Sequence, residues 1–215
     1  MRLVLLGPPG SGKGTQAAML AAEMNVPHIA TGDLFRTEMA EETELGVTAR
    51  EYIANGNLVP DEIVNEMMRG RLAQADTGDF VLDGYPRTLE QAVAFDAMLE
   101  DLARPLCMAV DIDVPDEAIV DRAVGRLVCP SCNAIYHLTS KPPKTMGICD
   151  NCRGALVSRD DDRPSTVRHR LTVYHRITEP VREYYRSRQL LRTISGLGTR
   201  DEVAARLRAQ LRNVC

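Results

Sequence analysis

The chain has 215 residues, 44% of them hydrophobic, and a formal net charge of −4. That length suits one domain with insertions or two small ones, with a composition ordinary for a globular protein. The negative charge excludes a molecule that traps nucleic acid by its overall field, and no apolar run reaches the ~18 residues of a membrane span.

Arg2-Leu3-Val4-Leu5-Leu6 is a short apolar run of the kind that forms a buried parallel strand. It passes into Gly7-Pro8-Pro9-Gly10-Ser11-Gly12-Lys13-Gly14-Thr15, then into residues 16–24, rich in helix formers. Strand, glycine loop and helix in that order are the setting a phosphate-binding P-loop requires. The glycines let backbone N–H groups close on a polyphosphate. The helix N-terminus adds partial positive charge, and Lys13 a full one. The general motif has Ser or Thr directly after the Lys. Here Gly14 intervenes and the hydroxyl is on Thr15, so a direct Thr15–Mg²⁺ bond does not follow from the motif. The first strand runs straight into this loop, so no signal peptide and a cytoplasmic location are expected.

Residues 26–30 predict a second strand, with His28 bonded to backbone in preference to acting as a ligand or base. Thr31-Gly32-Asp33-Leu34-Phe35-Arg36 turns into a helix, its Thr and Asp being capping residue types. Residues 37–58 hold two short helical patterns with a break near Leu45-Gly46, and Asn55-Gly56-Asn57 signals a turn. Pro60-Asp61-Glu62 opens a helix to about Gln74. Residues 80–82 predict a third strand that ends in Asp83-Gly84-Tyr85-Pro86-Arg87-Thr88. An acid at the carboxyl end of such a strand points into a ligand crevice; the plain alternative is a turn-forming Asp-Gly. Residues 88–100 read as helix, 105–112 as a fourth strand, and Asp113-Val114-Pro115-Asp116-Glu117 starts a helix to about Arg126.

Residues 127–158 break this rhythm and read as a small β-rich knuckle carrying Pro130, Pro142 and Pro143. Cys129, Cys132, Cys149 and Cys152 form two C-x2-C pairs, a spacing that matches a structural zinc site. A mononuclear iron site would use the same ligands. Cys107 reads as a small core residue and Cys215 as a free thiol. Asp162 is the expected cap of a long helix with Pro164 in its first turn, and Pro180 should interrupt that helix near Glu179. Residues 190–194 predict a fifth strand, Gly196 and Gly198 a turn, and 200–213 an amphipathic closing helix. Strands alternating with helices predict an α/β fold, a parallel sheet covered on both faces, from which inserts project at roughly residues 31–60 and 122–159. Only three of the 26 basic residues are Lys, so a single Arg outside a motif carries little weight.

The P-loop, the segments 31–36, 83–88 and 121–126, the cysteine quartet and Arg159-Asp160-Asp161-Asp162 stand in one order over nearly the whole chain. Together they resemble the adenylate kinase family, in its bacterial long form with a metal-bearing lid. The resemblance implies a P-loop core over residues 1–30, 60–121 and 160–215, an α-helical AMP-binding insert over 31–59 and a zinc-binding lid over 122–159. It implies the reaction ATP + AMP ⇌ 2 ADP, with Mg²⁺ accompanying ATP and Zn²⁺ structural in the lid. Gly10, Ser11, Gly12, Lys13, Gly14 and Thr15 would cradle the ATP phosphates. Ile135, Tyr136 and the main chain near Gly198 would meet the ATP adenine. Thr31, Arg36, Arg87, the backbone of Asn57, Leu58 and Val59, the Gly84-Tyr85-Pro86 segment and Gln91 would receive AMP, with Gln91 reading the adenine edge. Arg122, Arg126, Arg159 and Arg170 would converge on the transferring phosphoryl. Asp33 and Asp83 would hold Mg²⁺ through water. Relatives often carry Arg where this chain has Leu127, and Arg168 competes with Arg170 for the ligand-facing position.

Two rivals stand beside this reading. One is another nucleoside monophosphate kinase, acting on UMP, CMP or GMP, or drawing on GTP as donor; Gln91 and Thr31 favour AMP. The other is an ATPase whose cysteine knuckle grips nucleic acid. Against it stand the acidic charge, the absence of an aromatic stacking platform, and only Lys141, Lys144 and Arg153 near the knuckle. The expected partners are therefore ATP, AMP and ADP, with no nucleic acid and no membrane, and the expected state is a monomer.

Overall fold

The computed structural model describes residues 1–159 and 162–211. In chain order the main elements are β1 (Arg2–Leu6), α1 (Lys13–Met24), β2 (His28–Ala30), α2 (Thr31–Ala40), α3 (Glu44–Ala54), α4 (Asp61–Leu72), β3 (Phe80–Asp83), α5 (Leu89–Asp101), β4 (Met108–Asp113) and α6 (Asp116–Val124). There follow β5 (Arg126–Val128), β6 (Ile135–His137), α7 (Pro164–Val173), α8 (Glu179–Ser187), β7 (Leu191–Ser195) and α9 (Arg200–Leu211).

Five strands form a parallel sheet in the order β2-β3-β1-β4-β7. Successive strand side chains face opposite sides. Val4, Leu6, Leu82 and Ala109 therefore join one core with Met68, Phe95 and Tyr185. Leu3, Leu5, Val110 and Ile112 join a second with Leu20, Ile119, Leu171 and Leu207. A sheet buried on both faces needs nearly continuous apolar strands, and β1 is one. From β1 the chain leads over β3 to β2, whereas from β4 it leads to β7. That reversal opens a crevice at the carboxyl ends of β1 and β4, the usual place for a ligand in such sheets. The P-loop begins there. A Cβ on Gly7, whose φ is +135°, would stand 2.5 Å from the Ile112 carbonyl oxygen, so only glycine lets the loop press against β4.

Local expectations fail where side chains have longer-range partners. The break in the 37–58 region falls between α2 and α3, where the Thr43 hydroxyl caps α3 by accepting from the Gly46 N–H at 3.0 Å. Gly46 itself is helical. A Cβ there would stand 2.1 Å from the Glu38 carbonyl oxygen, so this glycine marks a close helix–helix contact. Thr31 is not a cap: Ala30 occupies that position, and the Thr31 hydroxyl donates across to the Gly84 carbonyl at 2.9 Å. Asp33 is also no cap, being paired with Arg36. Arg163, not Asp162, sits at the N-cap of α7, because Asp162 faces Arg126 at 3.0 Å. α6 stops at Val124, so Arg126 opens β5 instead of closing the helix. The expected interruption at Pro180 does occur. A π-helical turn (Tyr174–Thr178) separates α7 from α8, where a ring without an N–H cannot sustain regular bonding.

His28 is half-buried, and its Nε2 has no hydrogen-bond partner. Cys107 is half-buried and disulfide-bonded, not a free core thiol. The expectations on Asp160, Asp161, helical residues 212–213 and Cys215 lie outside the described residues. The cysteine region is β-rich as expected: β5 pairs antiparallel with β6, and isolated bridges join Val128 to Val157 and Ile148 to Ala155. Among the described residues no helix is long and apolar enough to cross a membrane.

Candidate active site and metal centre

Lys13 is the first residue of α1, and its ammonium donates to the Gly7 and Pro8 carbonyls at 2.7 and 2.8 Å. Burial pulls its pKa down to about 8, helped by the positive charges of Arg87 and Arg170 and opposed by Asp83 and Asp111. Loop, lysine, two arginines and two carboxylates are thus electrostatically one site. Asp83 ends β3, and its Oδ2 would lie 3.1 Å from a Cβ placed on Gly14. A carboxylate aimed across the first turn of the P-loop helix is a hard oxygen donor suited to Mg²⁺ or its waters. Ser11 is buried, and its hydroxyl has no partner.

The segment after β3 is held from several sides. The Gly84 carbonyl accepts from Thr31 and from Arg87 Nε, the latter at 2.6 Å. The Gln91 amide oxygen accepts from the Arg87 N–H at 2.7 Å, and its nitrogen donates to Asp61 at 2.7 Å. Thr88 donates to the same Asp61 carboxylate at 2.6 Å while capping α5. Gln91 is therefore a buried strut of the Arg87 turn, with one donor and one acceptor site left for a ligand. Tyr85 and Val59 have their side chains in the core, and Pro86 is buried beside them; the Tyr85 hydroxyl donates to Asn65 at 2.7 Å. Only their main chain remains for recognition. Leu58 is half-buried. Asn57 Oδ1 accepts from His169 Nε2 of α7 at 2.9 Å, and Gly56 packs beside Arg170.

The arginines divide. Arg87 and Arg170 act on Lys13. Arg168 is exposed, whereas Arg170 is half-buried. Arg122 donates to the Ser11 carbonyl at 3.3 Å and the Gly196 carbonyl at 2.9 Å, bridging the P-loop to the end of β7. Burial lowers its pKa. Arg126 is turned to Asp162 and Arg36 to Asp33. Gly198, at φ +104°, closes the turn before α9, where Thr199 caps Glu202 and the Glu202 carboxylate takes the Thr199 N–H at 2.7 Å. Arg159 lies at the end of the knuckle segment, before the acidic run.

The four cysteine sulfurs lie within 4.8 Å of one another, with Cys129–Cys152 at 3.3 Å and Cys132–Cys149 at 3.5 Å. Zinc–sulfur bonds of about 2.3 Å put tetrahedral sulfurs about 3.8 Å apart, so the set fits a closed four-thiolate ion. Burial opposes ionisation of Cys149. The Cys152 and Asn151 N–H groups and the Tyr136 hydroxyl outweigh it and bring the thiol to about 6. Tyr136 is buried among these cysteines, while Ile135 is exposed.

Sequence reasoning missed Asp61, which anchors Gln91 and Thr88, and Asp111, a fully buried carboxylate paired with Arg182 at 2.8 Å. Asp61 looked like an ordinary first-turn acid. Asp111 carried one signal, a charged residue inside the otherwise apolar run Met108–Ile112 of β4.

The family model described as Adenylate kinase matches residues 5–190. A protein of Symbiobacterium thermophilum named adenylate kinase is 50% identical over 213 residues, covering 99% of each chain. The adenylate kinase of Streptomyces griseus is 52% identical over 208 residues, covering 96% of this chain and 95% of its own. That of Clostridium kluyveri is 45% identical over 216 residues, covering both chains completely. Phosphoryl transfer needs little covalent help, only positioned anions and compensating charge, which this crevice supplies. The chain belongs to the adenylate kinase family and catalyses ATP + AMP ⇌ 2 ADP, with Mg²⁺ accompanying the ATP.

Proposed function

We propose that residues 1–30, 60–121 and 160–215 form the catalytic core, 31–59 an insert that receives AMP, and 122–159 a lid over ATP. Gly10 to Thr15 cradle the ATP phosphates, and Lys13 balances the charge of the transferring group. Arg87 and Arg36 hold the AMP phosphate, Thr31 and the Gly84-Tyr85-Pro86 turn shape its pocket, and the backbone of Asn57, Leu58 and Val59 frames the base. Gln91 reads the adenine through its remaining donor and acceptor. Arg122, Arg126, Arg159 and Arg170 gather on the phosphates as the lid closes, Arg126 exchanging Asp162 for phosphate oxygen. Ile135 and the main chain at Tyr136 and Gly198 meet the ATP base. Asp83, with Asp33, holds Mg²⁺ through water; when bound, that ion neutralises phosphate charge and aligns the phosphate oxygens. Zn²⁺ in the tetrathiolate site is structural, since four protein ligands leave no position for a reacting water. The protein acts as a cytoplasmic monomer whose partners are ATP, AMP and ADP, with no nucleic acid and no membrane.

The observation that carries this reading is the charge coupling of Asp83, Arg87 and Arg170 to a half-buried Lys13 at the sheet's carboxyl edge. A coupled assay with ATP and each of AMP, CMP, UMP and GMP tests it. AMP should be the preferred acceptor by kcat/KM. A greater kcat/KM with another monophosphate would overturn the assignment of Gln91. Metal analysis of the purified protein decides between zinc and iron.

A further inference from the structure

Tyr136 belongs to the segment assigned above to the ATP base, yet its ring is buried within the knuckle itself. Its ring is buried against Cys129 and Cys149, with Leu127, Ala134 and Leu156 around them. Its hydroxyl oxygen accepts from the Asp150 N–H at 2.8 Å and lies 3.6 Å from Cys149 Sγ. A phenol has one hydrogen to give. With its oxygen accepting from Asp150, that hydrogen is free to donate, and the recorded neighbour able to accept it is the Cys149 sulfur. Lys141 supports the geometry: its ammonium sits 5.1 Å from the Tyr136 ring centroid and donates to the Ile135 carbonyl at 2.8 Å. The cation over the ring face steadies the ring and draws electron density from it. Asp150 is fixed in turn, its carboxylate accepting from the Lys144 N–H at 3.0 Å.

We propose that Tyr136 is a positioning residue of the metal centre, its hydroxyl donating a hydrogen bond to the Cys149 thiolate and thereby setting the affinity and electronic character of the bound ion. This rests on the tetrathiolate reading above. Partners that orient a ligand are worth 10–100-fold in metal affinity where they have been removed. A hydrogen bond to a thiolate also lowers the energy of its lone pair, so the sulfur donates less charge to the metal. The role differs from packing, since Phe fills the same space without the hydroxyl.

The test uses the full-length protein loaded with Co²⁺ or Zn²⁺, comparing wild type, Tyr136→Phe and Leu156→Ala. Leu156→Ala loosens the same small core and leaves the hydroxyl in place. Competition with a chromophoric chelator gives affinities, and the sulfur-to-cobalt charge-transfer band reports the thiolates. Tyr136→Phe should bind metal roughly 10–100-fold more weakly and shift the band to longer wavelength. Leu156→Ala should weaken binding with the band unmoved. An unchanged affinity in Tyr136→Phe, or a weakened one with the band in place, would overturn the proposal and leave the tyrosine as packing. Wild-type protein that takes up neither ion would overturn the metal reading itself, and this proposal with it.

Discussion

Lys13 is a cation held where cations are costly. Burial brings its pKa to about 8, so a large share of the free enzyme is neutral at that position in mildly alkaline solution. A bound polyphosphate favours the charged form and restores the proton. ATP binding at pH 8.5 should therefore take up a substantial fraction of a proton, which shrinks towards zero at pH 7. Calorimetry in buffers of different ionisation enthalpy measures it; no uptake at pH 8.5 would place Lys13 in an ordinary environment. Gln91 makes a second case. Gln91→Leu should raise the KM for AMP and leave that for ATP largely alone. Because Asp61 holds the Gln91 amide, Asp61→Ala should do the same. The double variant should then be little worse than either, the mark of residues acting as a unit; additive effects would separate them. The place of Lys13 in the P-loop was legible from spacing alone. That of Asp61 was not, since its partners are 27 and 30 residues away and no local pattern reports them.

Elements were placed by periodicity to within a few residues, and the errors share a cause. Gly46 looked like a helix break because glycine weakens helices, but the close approach of α2 selects it. Thr31 and Asp162 looked like caps because that is the commonest local use of their side chains, and each is drawn off by a partner distant in sequence. α8 supplies one costly contact to lose: its Arg182 pairs with the fully buried Asp111 of β4 at 2.8 Å. Arg182→Met leaves that carboxylate without its ion pair and should destabilise the protein by about 3–5 kcal/mol. The pH dependence has a definite sign. Burial, the largest influence, already holds Asp111 above the ordinary carboxylate value, with Arg182 opposing it. The native state therefore holds this proton more tightly than the unfolded chain, so its contribution is present at acid pH and is lost as pH rises past the usual carboxylate range. Removing Arg182 widens that window, so denaturant melts of the variant should show its deficit growing from pH 4 to pH 7. A deficit constant over that range would mean that the two side chains do not share charge.

At the scale of the whole molecule, the sheet and the knuckle have separate cores. The sheet buries two large apolar clusters, whereas the knuckle has Tyr136, two cysteines and three partly buried apolar neighbours. Such a small core does not hold a fold by itself, and structural zinc contributes about 10–16 kcal/mol apparent in small peptides. Chelation, or Cys129→Ser with Cys132→Ser, should disorder residues 127–158 first and lower the melting temperature, while the P-loop keeps its affinity for ATP. Hydrogen exchange resolves the order of loss. Activity at low temperature should fall less than in Lys13→Met, where loss of a preorganised charge should cost about 10²–10³ in kcat. A metal-free protein with unchanged melting temperature would remove the structural role.

The bonds from Lys13 to the Gly7 and Pro8 carbonyls also bear on how nucleotide arrives. They close the loop on itself, so its backbone is confined when the chain folds and not when ATP binds. In the binding mode proposed above, entry of the triphosphate is an exchange of partners at the ammonium, carbonyl for phosphate, with little further loss of conformational entropy in the loop. Association should then run at the speed of diffusion into a finished cavity, leaving the slow, ordering part of the cycle to the segments that fold over it.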